Sequence, residues 1–252
     1  MKTMKIIALA AIALCAASCS QEEKGPDYVD LGLPSGTLWA KNNLGATSPE
    51  QPGLLFQWAS TEGVDGAKND SLENNDRYPF DLRKGKYVGD NYAFDKQSLT
   101  KYNTTDKKTT LDPEDDAAVA MLGADWRTPT KAQAQELFNK EYTIITDTLI
   151  DGKAVAKITS RSNGNFILLP QTGIGSGTSD CMQVNAKGNM ETTYQLSEVD
   201  ATYPYIKFTM DIDRSLSDEV RGDIGNCNRF MGHAVRPVYV GKKEENTNNS
   251  QK

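Results

Sequence analysis

The sequence predicts an α+β fold with an antiparallel sheet, two main helices and long loops. Three observations carry it. Periodic segments run in the order hairpin, helix, loops, helix, meander, closing strands. Two turn dipeptides, Asp151-Gly152 and Asn163-Gly164, separate three strand-like runs in the second half. Between residues 28 and 240 the alternation of short apolar runs and turns shows no repeat and no linker, so one domain is expected over 28–240.

The elements follow in order. Tyr28 to Leu33 reads as a strand, Pro34-Ser35-Gly36 as a turn, and Thr37 to Ala40 as its partner strand. Ser48-Pro49-Glu50 looks like a helix start, with Ser at the N-cap and Pro at the first helical position. Leu54, Leu55 and Trp58 keep helical spacing, so a short helix is expected over 49–59. Residues 60–110 are rich in Asp, Asn, Lys and Gly, punctuated by single rings, and read as an irregular insertion pinned by aromatics. Asp115 to Leu122 predicts a helix. Thr130 is a second N-cap, before a helix over 131–139. Tyr142–Leu149, Ala154–Thr159 and Phe166–Leu169 form the meander. Tyr203–Met210 and Ala234–Val240 are the last strands.

Residues 1–18 have the pattern of a lipoprotein signal peptide. Lys2 and Lys5 precede an apolar run, Ile6 to Ala17, shorter than the roughly 20 residues a spanning helix needs. Ala16-Ala17-Ser18 then stand before Cys19, as in a bacterial lipobox, with Ala16 where Leu is usual. Cys15 is a poorer candidate, because Leu14 would fill the small-residue position. Cleavage would make Cys19 the lipidated N-terminus, and dual acylation holds a domain stably on a membrane. It would leave 234 of the 252 residues, and with two lysines gone a net charge of −8 in place of −6. Residues 19–27 read as a tether, and 241–252, without an apolar residue, as a disordered tail. Ser20 to Lys24 is either a solvated spacer or an export signal of the kind that sends Bacteroidota lipoproteins to the outer face of the outer membrane.

Composition removes several functions. An acidic chain without a basic run is a poor nucleic-acid binder, since that role needs Lys and Arg in place of phosphate counterions. One histidine, His233, leaves little room for zinc or Ser-His-Asp chemistry. No G-x-S-x-G elbow is present, and the glycines of 173–177 are followed by no Lys. No enzyme is expected, and His233 reads as a structural or surface histidine and not a general base. With Cys15 removed and Cys19 lipidated, Cys181 and Cys227 remain, and an oxidising compartment suggests a disulfide between them.

Val29–Ala40 (VDLGLPSGTLWA), Asp115–Ala118, Trp126–Thr130 (WRTPT), Phe166–Pro170 and Val235–Val238, in this order, resemble the Fibrobacter succinogenes major paralogous domain family. The resemblance spans about residues 28–240. It implies a C-type-lectin-like fold on a surface lipoprotein, with the Val29 and Val235 strands paired. The family's Tyr-Trp-Ser-Ser strand is matched only by Tyr194-Gln195-Leu196-Ser197, without the Trp.

Site candidates follow from this. Asp211, Asp213, Asn226 and Asn228 offer oxygen donors where a lectin-type calcium loop would lie, and calcium is a hard cation that takes such ligands. The Glu-Pro-Asn and Trp-Asn-Asp triplets are absent, and a solvated acidic loop is the alternative. No other cofactor is expected. Tyr78, Tyr87 and Tyr92 are rings on polar loops, suited to stacking on a sugar, docking a protein or anchoring the insertion. Arg127 and Arg236 read as ion-pair partners, and Trp39, Trp58 and Trp126 as core. Asp70-Ser71-Leu72 and Asp147-Thr148-Leu149 resemble the O-glycosylation site of exported Bacteroidota proteins, at Ser71 and Thr148. The expected function is a surface lipoprotein binding a glycan or a protein. The alternative is a subunit of a surface assembly such as a fimbrial tip.

Overall fold

The computed structural model describes residues 27–65, 80, 85–89, 98–175, 192–213 and 221–242. In chain order the elements are β1 (Tyr28–Asp30), β2 (Leu38–Ala40), α1 (Ala117–Leu122), β3 (Trp126–Arg127), α2 (Lys131–Leu137), β4 (Thr143–Ile150), β5 (Lys153–Ser160), β6 (Phe166–Pro170), β7 (Thr192–Val199), β8 (Ile206–Asp213), β9 (Arg221–Asn228) and β10 (Val238–Tyr239). The architecture is α+β, with antiparallel sheets and two helices, as the order of segments predicted. Among the described residues, no helix is long and apolar enough to cross a membrane.

β1 and β2 make the opening hairpin, Val29 opposite Trp39, closed by the Gly36 N–H on the Leu33 carbonyl at 2.8 Å. The first sheet runs β1-β2-β10-β3. The implied pairing of the Val29 and Val235 strands is therefore corrected, because β2 lies between them. The Ala40 and Leu44 N–H groups take the Pro237 and Val235 carbonyls at 2.9 and 3.0 Å. β2 is buried at all three residues and pairs on both edges, with β1 and with β10. The outer strands still meet through rings, Tyr28 stacking on Tyr239 with centroids 4.8 Å apart.

Residues 49–59 are not helical, against expectation. The Asn43 amide donates to the Gln51 and Pro52 carbonyls at 3.3 and 2.9 Å, taking groups a helix would need. Gly53 sits at φ +74°, and a Cβ there would lie 2.3 Å from the Leu44 carbonyl oxygen. The chain then runs extended, with Leu55 bridging Val64 and Phe56 bridging His233.

The other two predicted helices form. The Asp116 carboxylate caps α1 through the Ala118 N–H at 2.9 Å and also accepts from the Thr128 hydroxyl and N–H at 2.6 and 2.9 Å. α1 thus begins two residues after Asp115, which belongs to a 3₁₀ turn. Thr130 and Gln133 form a reciprocal capping box on α2.

The meander β4-β5-β6 is present as expected, with Asp151 and Gly152 at its first turn. The third sheet, β7-β8-β9, contains β9, which the sequence did not announce, and β7, which only the resemblance at Tyr194-Gln195-Leu196-Ser197 marked. Leu31, Trp39, Leu137, Ile158, Leu169 and Tyr194 belong to one apolar cluster fed by all three sheets and α2. Arg236, fully buried, spans it. Its guanidinium donates to Ala40 and Lys41 carbonyls at 3.1 and 2.8 Å, to the Asn43 side-chain oxygen at 2.7 Å, and to the Leu168 carbonyl in β6 at 2.7 Å. It is structural, as expected, but works through amide oxygens and not a carboxylate. Arg127 likewise donates to the Ala124 and Trp126 carbonyls.

Candidate functional site

A groove of about 160 Å³ opens where the meander meets the third sheet. Its apolar side is built by Phe138 at the end of α2 and by Ile144 and Ile145 of β4. Its polar side carries three cationic side chains from three separate segments: Lys140 after α2, Arg161 after β5 and Arg221 at the start of β9. The Arg161 Nε donates to the Lys140 carbonyl at 2.7 Å, which fixes the guanidinium beside Lys140. Arg221 stands 4.0 Å from the Asp213 carboxylate. Gly222 completes the wall. A Cβ there would lie 2.2 Å from the Phe138 ring, so glycine is what lets the ring seat. No sequence signal marked these cations, because they are scattered over 80 residues and converge only through β4-β5 and β8-β9 pairing.

The calcium candidates are not assembled. Asp211 and Asp213 are in β8, and Asn226 and Asn228 in β9, so the expected loop is a strand pair. Asp211 opposes Asp223, and Asn226 opposes Phe208. Successive side chains in a strand point to opposite faces, so the two aspartates and the two asparagines face opposite ways. Asp213 and Asn228 lie at opposite ends of the pairing, about 23 Å apart at ~3.3 Å per residue. Asp211 is instead bonded by the Thr193 hydroxyl at 2.5 Å and the Thr209 hydroxyl at 3.2 Å.

A different acidic cluster, Asp112, Glu114 and Asp115, brings its carboxylates close enough to hold a metal ion. The chain's own ammonium groups meet that charge. Lys101 Nζ is 2.7, 3.1 and 2.6 Å from Asp112, Glu114 and Asp115, and Lys86 is 2.6 Å from Asp115. Tyr87 and Tyr102 hydroxyls also donate to Asp115, at 2.8 and 2.6 Å. Burial pushes the Asp115 carboxyl up, but these four donors outweigh it and hold it well below the usual carboxylate range. Tyr87 is thereby tied down by its hydroxyl and by an edge contact with Tyr102, centroids 5.8 Å apart. Of the ring alternatives, anchoring is what Tyr87 does. Tyr78 and Tyr92 lie outside the described residues, as do Cys19, Ser71 and Cys181.

The remaining candidates are placed as follows. Thr148 is half-buried in β4. Trp39 and Trp58 are fully buried, and Trp126 packs against the core cluster around Phe56. Cys227, in β9, carries a free thiol, with Cys181 outside the described residues. His233 is buried, its Nε2 3.7 Å from the Cys227 sulfur. Burial, then the nearby Lys207 charge, pull the imidazole well below its ordinary pKa. The sequence missed Lys207, which is fully buried in β8. Its ammonium donates to the Gln195 side-chain oxygen at 3.1 Å and the Met231 carbonyl at 2.6 Å. Burial pulls its pKa down to about 8, and pushes the Cys227 thiol up to about 11. The signal was there to use: Lys207 shares one face with Thr209 in a strand-like run.

Compared with known proteins, the chain matches no family model, and neither a curated protein nor a solved structure is significantly similar to it.

Proposed function

We propose that this chain is a non-catalytic, lipid-anchored domain of a bacterial outer-membrane surface that binds a glycan or protein ligand. The segments from Val29 to Val238 that resemble the Fibrobacter succinogenes major paralogous domain family, with its C-type-lectin-like fold, agree with that role, as does the lipobox-like stretch ending at Cys19. The observation that carries it is the groove beside Phe138. It combines apolar walls with cationic side chains, and among the described residues its lining holds no His, Cys, Asp or Glu. Clefts of this composition hold ligands by apolar contact and orient them by a few polar groups. Three perturbed groups among the described residues are closed off, His233 and Lys207 by burial and Asp115 by its donors.

The test is a glycan array probed with the full chain in mild detergent. Binding to at least one glycan class supports the proposal. Absence of binding to every glycan, together with recovery of the chain in a large surface complex, would sink it in favour of an assembly subunit. One observation favours that second role. Among the described residues β4 pairs only with β5, so its outer edge offers backbone groups to a partner strand, beside a Leu149 that is 72% exposed. Anchoring is tested separately: Cys19→Ala abolishes palmitate incorporation if Cys19 is the acylated residue, and unchanged labelling refutes it.

A further inference from the structure

The corner at the end of α1 has the composition of a contact surface, and we propose that it rests on the lipid surface to which the chain is anchored. This inference rests on the lipid anchor at Cys19 proposed above, and it names the face of the domain that meets the membrane.

Exposure is the first argument. Ala117 and Ala118 bury the start of α1, but its last three residues and the two that follow, Ala120-Met121-Leu122-Gly123-Ala124, are exposed at every position. Met121 and Leu122 are 42% and 46% exposed. Val240, 51% exposed, adjoins this corner, with its N–H on the Asp125 carbonyl at 2.7 Å. Single exposed apolar residues are ordinary, whereas five in a row with a sixth beside them need a function. The corner is held in place by its own backbone. The Trp126 N–H donates to the Gly123 carbonyl at 3.1 Å, and the Arg127 guanidinium donates to the Ala124 carbonyl at 2.8 Å.

Position is the second argument, because the tether joins the domain beside this corner. Tyr28, the first residue of β1, stacks on Tyr239 with centroids 4.8 Å apart, and Trp126 meets Tyr239 edge-on at 5.2 Å. Two ring contacts thus lead from the tether's junction to Trp126 and to Val240, the residue after Tyr239. Tyr28 follows Cys19 by nine positions, at most about 30 Å of extended chain. A lipid at Cys19 keeps the corner within reach of the bilayer, so a weak contact is made at high effective concentration. The half-buried Trp126 and Tyr239 rings suit the boundary between headgroups and acyl chains, where an apolar ring carries a polar atom. Asp125, exposed at the rim, keeps the contact shallow, since a carboxylate is costly to bury among acyl chains. A protein partner fits less well. A stable protein interface takes about 20–30 residues a side, and this corner offers six without a polar side chain.

The test uses the lipidated full chain in vesicles of phosphatidylethanolamine and phosphatidylglycerol whose acyl chains are brominated near the headgroup. Bromine quenches tryptophan fluorescence at short range. Trp39 and Trp58 are fully buried and Trp126 is half-buried, so the quenching reads Trp126. The expected result is quenching at least threefold stronger in the native chain than in a Met121→Gln, Leu122→Gln double variant, at unchanged melting temperature and palmitate content, and loss of quenching in Trp126→Phe. Either single glutamine variant keeps the inference testable if the double variant is poorly folded. Equal quenching in the native chain and the glutamine variants overturns the inference, as does quenching that survives Trp126→Phe. A chain that carries palmitate and floats with the vesicles without quenching also overturns it, while the anchor stands. A chain that neither carries palmitate nor floats refutes the anchor, and the inference falls with it.

Discussion

Lys207 allows the sharpest test of the packing described above. Its pKa is about 8 in the folded chain, against 10.5 for an ordinary lysine. Between those values the unfolded chain keeps a proton that the folded chain has released, so stability rises with pH, by at most ~1.4 kcal/mol per unit. The full gap corresponds to roughly 3 kcal/mol. Cys227 acts in the opposite sense. Its thiol ionises near 9 when unfolded and near 11 when folded, so stability falls as pH rises through that range. The two effects together give a gain of about 1 kcal/mol between pH 7 and 9 and little change from 9 to 10. Lys207→Met removes the gain and leaves the Cys227 loss, about 1.4 kcal/mol between pH 7 and 10. The stability difference at any single pH is not diagnostic, because the variant also orphans the Gln195 and Met231 oxygens, at ~1–3 kcal/mol each. The assay is urea unfolding followed by tryptophan fluorescence at pH 7, 8, 9 and 10. The two proteins should diverge by about 2–3 kcal/mol across that range. Parallel profiles would refute a buried, charged Lys207.

Three further outcomes are expected. His233, whose folded pKa lies well below 6.5, costs stability as pH falls below 6.5, because the unfolded chain binds a proton the folded one refuses; His233→Gln should flatten the acid limb of the same urea profile. Asp116→Ala removes the α1 cap and orphans the Thr128 hydroxyl and N–H, and should lower stability by about 2–4 kcal/mol in thermal circular dichroism. Arg236→Met leaves carbonyls of Ala40, Lys41 and Leu168 and the Asn43 side-chain oxygen without their donor, and should cost about 3–5 kcal/mol or prevent folding, read as loss of the urea transition.

Elements whose instructions are local were legible in the sequence. Thr130 announced α2 because an N-cap is written next to the helix it starts, and Asp151-Gly152 announced the β4-β5 turn for the same reason. β7 was not legible. Gln195 and Ser197 are buried in it, so its polarity conceals a strand buried at seven of its eight positions. β9 was hidden by glycines that make room for neighbours: a Cβ at Gly225 would lie 1.9 Å from the Asp211 carboxylate and one at Gly222 2.2 Å from the Phe138 ring. The false helix over 49–59 came from Leu54, Leu55 and Trp58, whose spacing matches a helix although Asn43 holds the backbone at Gln51 and Pro52 otherwise. The groove was illegible for the same reason at longer range, since Lys140, Arg161 and Arg221 become neighbours only after strand pairing.

The position of β10 has a consequence for the birth of the molecule. β10 lies between β2 and β3, so the first sheet has a gap in its middle until residues 235–240 arrive. A chain made from its N-terminus must hold Trp39 and the rest of β2 without their inner neighbour until Val238 and Tyr239 are made, some 200 residues later. The closing segment brings the Arg236 clasp with it, so the last step seals the sheet and locks it to the meander together. Contacts so distant along the chain are slow to form. A nascent chain halted before residue 235 therefore presents an open strand edge rather than a smaller finished domain, and quality-control machinery that recognises unpaired strands would meet it there.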